Sequence, residues 1–198
     1  PRVFHAIALD DDAGVLYVHG GADERAATGP YFDDLWALDL AKEQWTGVST
    51  AGDVPRGRIG HHMVFDHTTK KLLVFGGRDD GAVGRENDVW TIDPRAATPT
   101  WSKLPLGDAP GTPSTAACTF AADFTTVDRL SPERRAAFVF GARPDGHGFV
   151  VYGGKSDCGL LGDAWWLSPA ASAWTQMVKS PVGLSCLRYS TTCGALCG

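Results

Sequence analysis

The chain has 198 residues, 43% hydrophobic and 21% charged, with a formal net charge of -5. That composition excludes a disordered chain, and the acidic balance weighs against a general nucleic-acid or membrane-surface binder. No apolar run approaches the roughly 20 residues needed to span a bilayer.

Gly (24) and Pro (12) are over-used relative to the roughly 12% of an average chain, which predicts many turns and short strands. The chain opens Pro1-Arg2-Val3-Phe4-His5, without Met or an apolar leader, and reads as a piece of a longer protein.

The predicted elements recur in a fixed order. Arg2-Val3-Phe4-His5-Ala6-Ile7-Ala8-Leu9-Asp10 has strand character and ends in an acidic turn. Leu16-Tyr17-Val18-His19-Gly20-Gly21 is a second strand closed by paired glycines. A polar loop over 22–31 leads to Asp34-Leu35-Trp36-Ala37-Leu38-Asp39, and a lone Trp45 ends the unit.

The second pass starts at Arg58-Ile59-Gly60-His61-His62-Met63-Val64-Phe65-Asp66, offset by 56 residues. Leu72-Leu73-Val74-Phe75-Gly76-Gly77, the loop 78–86, Asp88-Val89-Trp90-Thr91-Ile92-Asp93 and Trp101 follow. The third pass holds Phe149-Val150-Val151-Tyr152-Gly153-Gly154, then Asp163-Ala164-Trp165-Trp166-Leu167-Ser168, then Trp174. Strands this short, joined by such turns, read as antiparallel meanders.

The approach to the third unit is longer. Trp45 to Phe65 is 20 residues, whereas Trp101 to Phe140 is 39. The extra residues fall in 107–133, rich in Ala, Thr, Pro and Gly, which reads as an inserted loop. This alignment places Glu133 where the other units have Arg2 and Arg58, and Ala136 where they have His5 and His61. Ser131–Ala137 reads as a single helical turn, with Ser131 as N-cap and Pro132 in the first position.

The ordered recurrence of Arg-x-x-His, the glycine pair, the Asp-x-Trp segment and the closing Trp resembles the kelch repeat. The resemblance covers roughly residues 1–177 and implies an all-β fold. The expected architecture is a partial kelch-type β-propeller of three four-stranded antiparallel blades with a Cys-rich C-terminal tail. The blades are assigned to 1–55, 56–106 and 133–177, with the inserted loop at 107–132. The tail, 178–198, is assigned as a ring-closing strand or a cap. Propellers need about four to eight blades. The ring is therefore expected to be completed by missing blades or by a second copy of the chain.

By the resemblance, Arg2 and Arg58, with Arg56 beside them, line the mouth of a central pocket and receive acidic peptide or sugar ligands. A guanidinium suits carboxylates because its donors form a planar fork. The competing role is an arginine bonded to backbone between blades. A second candidate surface is the set of loops after the glycine pairs, with Arg25, Arg78, Arg85 and Lys155 as binding residues. The leading expectation is a protein- or glycan-binding module. The alternatives are a sector of a kelch-like enzyme of sugar epimerase or oxidase type, needing further blades, and a purely structural sector.

The copper-radical oxidases need a Tyr–Cys cross-link, His ligands and a second Tyr. Tyr17, Tyr31, Tyr152 and Tyr189 form no such constellation in sequence. No catalytic residue, metal or cofactor is expected, and no nucleic-acid or membrane partner. His5 and His61 share a repeat position and read as structural; His19 reads as a wall residue. Cys118, Cys158, Cys186, Cys193 and Cys197 all fall late in the chain and read as disulfide candidates. Disulfides imply an oxidising compartment, hence an extracellular or cell-surface location. Their odd number leaves one thiol without a partner in this chain.

Overall fold

The computed structural model describes residues 1–23, 30–79, 84–107, 131–143, 148–156, 159–168 and 172–178. Arg25, the five cysteines, most of the insertion and nearly all of the tail lie outside them.

Among the described residues there is no helix, only strands. The first sheet takes β1 (Ala6–Asp10), β2 (Val15–His19), β3 (Leu35–Asp39) and β4 (Gln44–Gly47) in chain order. The second repeats this with β5 (His62–Asp66), β6 (Lys71–Phe75), β7 (Val89–Ile92) and β8 (Ser102–Lys103). The third contains β9 (Val139–Ala142) and β10 (Phe149–Tyr152). A small ribbon of β11 (Lys155–Ser156) and β12 (Gly159–Leu160) intervenes before β13 (Ala164–Ser168) and β14 (Ala173–Val178) complete that sheet. All pairings between these strands are antiparallel, and the strands β1, β5 and β9 lie side by side.

Burial along the strands records each sheet's neighbours. In β1, Ala6, Ala8 and Asp10 are buried while Ile7 and Leu9 are exposed, the period-2 pattern of a sheet covered on one face. In β6, Leu72, Leu73, Val74 and Phe75 are all buried because that sheet is covered on both faces. Leu72 and Val74 enter a core with Ala6, Ala8, Met63, Phe65 and Trp101. Leu73 and Phe75 enter another with Phe138, Val151, Trp165 and Trp174.

The expected helical turn at Ser131–Ala137 is absent. Hydrogen bonds to neighbouring segments hold this stretch in an irregular, non-helical path, with Ala137 at φ +54°. The Arg135 amide donates to the Glu86 carbonyl at 3.1 Å, and Ala136 forms a bridge with Lys155. The register also differs from the expectation by two residues. Phe140 faces Val151, the position Met63 takes opposite Val74. Arg135 and Phe138, not Glu133 and Ala136, therefore occupy the places of Arg58 and His61.

The glycine pairs have a steric cause. At Gly76 (φ +66°) a Cβ would lie 2.8 Å from the Phe138 ring, so that ring sits directly on the glycine. At Gly77 (φ +94°) it would lie 2.7 Å from the His61 Cβ and 3.0 Å from the Ile59 carbonyl oxygen. Gly14 (φ +63°) has nothing within 4 Å of the same position. Gly77→Ala should therefore lower unfolding free energy by roughly 2–4 kcal/mol, from backbone strain plus overpacking, and Gly14→Ala by only about 1 kcal/mol. Urea titration of the two variants checks the difference; equal losses would remove the close-approach argument.

Candidate functional site

The feature common to all three sheets is an arginine clamp. Arg58 Nη1 donates to the Gly76 carbonyl at 2.9 Å and to Asp88 Oδ1 at 2.7 Å, and Nη2 donates to Asp88 Oδ2 at 3.0 Å. Its Nε donates to the Arg56 carbonyl at 3.0 Å, and the Trp90 indole donates to Asp88 at 2.6 Å. Arg135 repeats this with Gly153, Asp163, Glu133 and Trp165. Arg2 does so with Gly20, Asp34 and Trp36. Each is a bidentate fork on a carboxylate, the strongest form of the pair.

The backbone of the same arginines ties sheet to sheet. The Gly21 amide donates to the Arg58 carbonyl at 2.9 Å, and the Gly77 amide donates to the Arg135 carbonyl at 2.8 Å. Each of these two arginines thus holds its own sheet with the side chain and the preceding sheet with the carbonyl.

Electrostatics follow from burial. The Arg58 and Asp88 side chains are 1% and 2% exposed. Burial alone would push the Asp88 carboxyl up, but Arg58's charge and the bonds from Arg58 and Trp90 hold it below the usual carboxylate range. Burial likewise opposes Arg58's charge, and Asp88 more than offsets it. Asp34 is 40% exposed yet is also held low: burial raises it, and bonds from Arg2 and Trp36 outweigh that.

These contacts correct the expectation that Arg2 and Arg58 present donors at a pocket mouth. Arg58 is sealed from solvent, and both guanidinium groups are committed to carbonyl and carboxylate within their own sheet. Arg135, which the two-residue slip hid, belongs with them. Arg56 is exposed, and only its carbonyl enters the clamp.

The loops after the glycine pairs form matching ribbons. Ala22 bridges Tyr31, Arg78 bridges Arg85, and Lys155 pairs with Leu160. The ribbons of the first two sheets touch: Arg78 Nη2 donates to the Tyr31 hydroxyl at 2.9 Å, with its guanidinium 5.8 Å from the ring centroid. Arg78, Arg85 and Lys155 therefore share one end of the sheets with Tyr31.

Next to the clamp lies Glu86, which the sequence reading passed over. Its amide bonds the Gly77 carbonyl, as those of Phe32 and Leu161 bond Gly21 and Gly154. An acid thus stands where the other sheets place apolar side chains. It is 3% exposed, and its Oε1 has no hydrogen-bond partner among the described residues. Burial, with Asp88's charge, pushes its carboxyl up to about 7, against the pull of Arg58 and Arg134. The signal in the sequence was this break in the apolar pattern.

Among the described residues, the grouping of possible metal ligands is Asp11, Asp12 and His67, all exposed, and Lys70 is bonded to Asp12. A cleft of about 330 Å³ opens beside Asp33, Asp34, Trp36 and Val48, where Asp34 is already held by Arg2.

Arg58→Ala leaves the buried Asp88 carboxylate with the Trp90 indole as its remaining side-chain donor and no opposing charge, and removes the Gly76 carbonyl's side-chain donor; it should cost about 3–5 kcal/mol. Arg2→Ala, at a clamp open to water, should cost about 1 kcal/mol. Denaturant unfolding of both variants checks the ranking; equal losses would show that burial does not set the clamp's value.

Residues 1–195 match the family profile described as the KLHDC2/KLHL20/DRC7 Kelch-repeats domain. Tip elongation aberrant protein 3 of Schizosaccharomyces pombe is 34% identical over 189 residues, which is 89% of this chain and 16% of that protein. Host cell factor homolog hcf-1 of Caenorhabditis elegans is 26% identical over 186 residues, 88% of this chain and 20% of that protein. Adagio-like protein 1 of Oryza sativa subsp. japonica is 33% identical over 133 residues, 65% of this chain and 16% of that protein. The chain spans a fifth or less of the length of these curated relatives.

Proposed function

Because the chain belongs to the kelch-repeat family, we propose that it is a protein-binding module whose contact surface is the end carrying the post-glycine ribbons. The ligand class is an acidic peptide segment of a partner protein. The observation that carries this reading is the Tyr31–Arg78 contact between two ribbons, with Arg85 and Lys155 at the matching positions. Aromatic and arginine side chains are over-represented among the residues that dominate protein interfaces. The clamps beneath hold the ribbons on a rigid base, so little ordering is required on binding.

Ring completion by further kelch blades belongs to the same proposal. Between sheets, one aromatic packs against the aromatic three residues after the next clamp arginine and against a closing Trp: His19 with His61 and Trp101, Phe75 with Phe138 and Trp174. The outer sheets hold the halves of a further set, Tyr152 on one and His5 with Trp45 on the other. Tyr152 is 53% and Trp45 50% exposed. A solution mass of twice the chain would point instead to a second copy as the closing partner.

The binding test titrates a glutamate-rich peptide and a neutral peptide of equal length, followed by fluorescence anisotropy at two salt concentrations. Arg78→Glu with Lys155→Glu should weaken the acidic peptide by tenfold or more, and binding should fall as salt rises. Equal affinity for both peptides, or none for the acidic one, would overturn the reading.

A further inference from the structure

The two described inter-sheet joints share a design but differ in chemistry. In the joint between the second and third sheets, Phe138 meets Phe75 edge-on at 5.1 Å and Trp174 lies 5.0 Å from Phe75. In the joint between the first and second sheets, the same places hold His61, His19 and Trp101. The imidazoles meet edge-on at 5.2 Å, and Trp101 lies 5.3 Å from His19. Both histidines are buried, at 0% and 3% exposure.

We infer that the His19–His61 pair is an acid-sensitive latch that opens the joint between the first two sheets while leaving the Phe75–Phe138 joint closed. The geometry sets the limit. His19 Nδ1 and His61 Nε2 are 3.1 Å apart and share one proton. The outer nitrogens, His19 Nε2 and His61 Nδ1, are buried with no hydrogen-bond partner among the described residues. A proton added to either ring places a charged N–H where no acceptor stands. A second added proton sets two N–H groups against each other.

The surrounding charges reinforce this. His19 faces Arg58 and Arg2, with Asp34 as the one opposing charge, and His61 faces Arg58 and His62. Burial is the larger cause, and it lowers His19 to about 3 and His61 well below its ordinary value. A folded-state value below the unfolded one gives stability that is fully present above about 6.5 and lost as pH falls. At pH 5 this factor is on the order of 30-fold for His19 alone.

The test is amide hydrogen exchange, resolved by residue, between pH 7 and 5. Gly21 donates across the histidine joint and Gly77 across the phenylalanine joint, so each reports one of them. Protection at Gly21 should fall tenfold or more at pH 5, after correction for intrinsic exchange, and several-fold more than at Gly77, whose joint carries the partly buried His62 against Phe138. His19→Phe with His61→Phe should remove that pH response. The imidazole resonances of the unsubstituted protein provide a readout that needs no variant, and both rings should stay neutral through pH 6. Equal loss of protection at both glycines, an unchanged response in the double variant, or titration of either ring near 6.5 would overturn the latch.

Discussion

The structure depends on one constraint: a buried guanidinium must have all of its surroundings supplied. A lone charge in a protein interior is unfavourable by several kcal/mol, and only a complete set of acceptors offsets it. Arg58 obtains that set from Asp88, the Gly76 carbonyl and the Arg56 carbonyl. The glycine pair follows from this demand, because the strand must turn its carbonyl towards the arginine while an aromatic ring from the next sheet rests on the same glycine. The tryptophan two residues after the aspartate follows as well, since its indole fills a further acceptor site of the carboxylate. Three signatures of the repeat, the arginine, the glycine pair and the Asp-x-Trp segment, are parts of one contact, and the closing Trp packs in the joint beside it.

Much of this was legible in the sequence because the demand recurs. The strands, the glycine pairs, the Asp-x-Trp segments and the all-β class could be read from register alone. Arg135 could not, for a physical reason. A shift of two residues keeps every side chain on the same face of a strand, so hydrophobic pattern does not distinguish the two registers. The glycines held the answer, since the 77 residues from Gly76 to Gly153 also carry Arg58 to Arg135 and His61 to Phe138.

The role of the clamp arginines was harder to read. A sequence shows that Arg2 and Arg58 are equivalent; it does not show which neighbours cover them. Arg58 and Arg135 each lie against a preceding sheet and are fully buried, whereas Arg2, in the first described sheet, has a side chain 21% exposed. Identical motifs thus differ in energetic weight through position in the stack. Glu86 illustrates the converse, a departure visible in the sequence whose meaning came only from the apolar setting of Phe32 and Leu161 at the matching sites.

The connection between Trp101 and Arg135 has a consequence of its own. Trp101 is anchored against His19 in one joint, and Arg135 is clamped to Gly153 and Asp163 beyond the next. Both attachment points thus have contacts of their own within the sheets. Closing a longer chain between fixed points adds only about 0.6 kcal/mol for each doubling of length. On loop-closure entropy alone, added length between these two anchors is therefore a small cost beside what holds the anchors themselves.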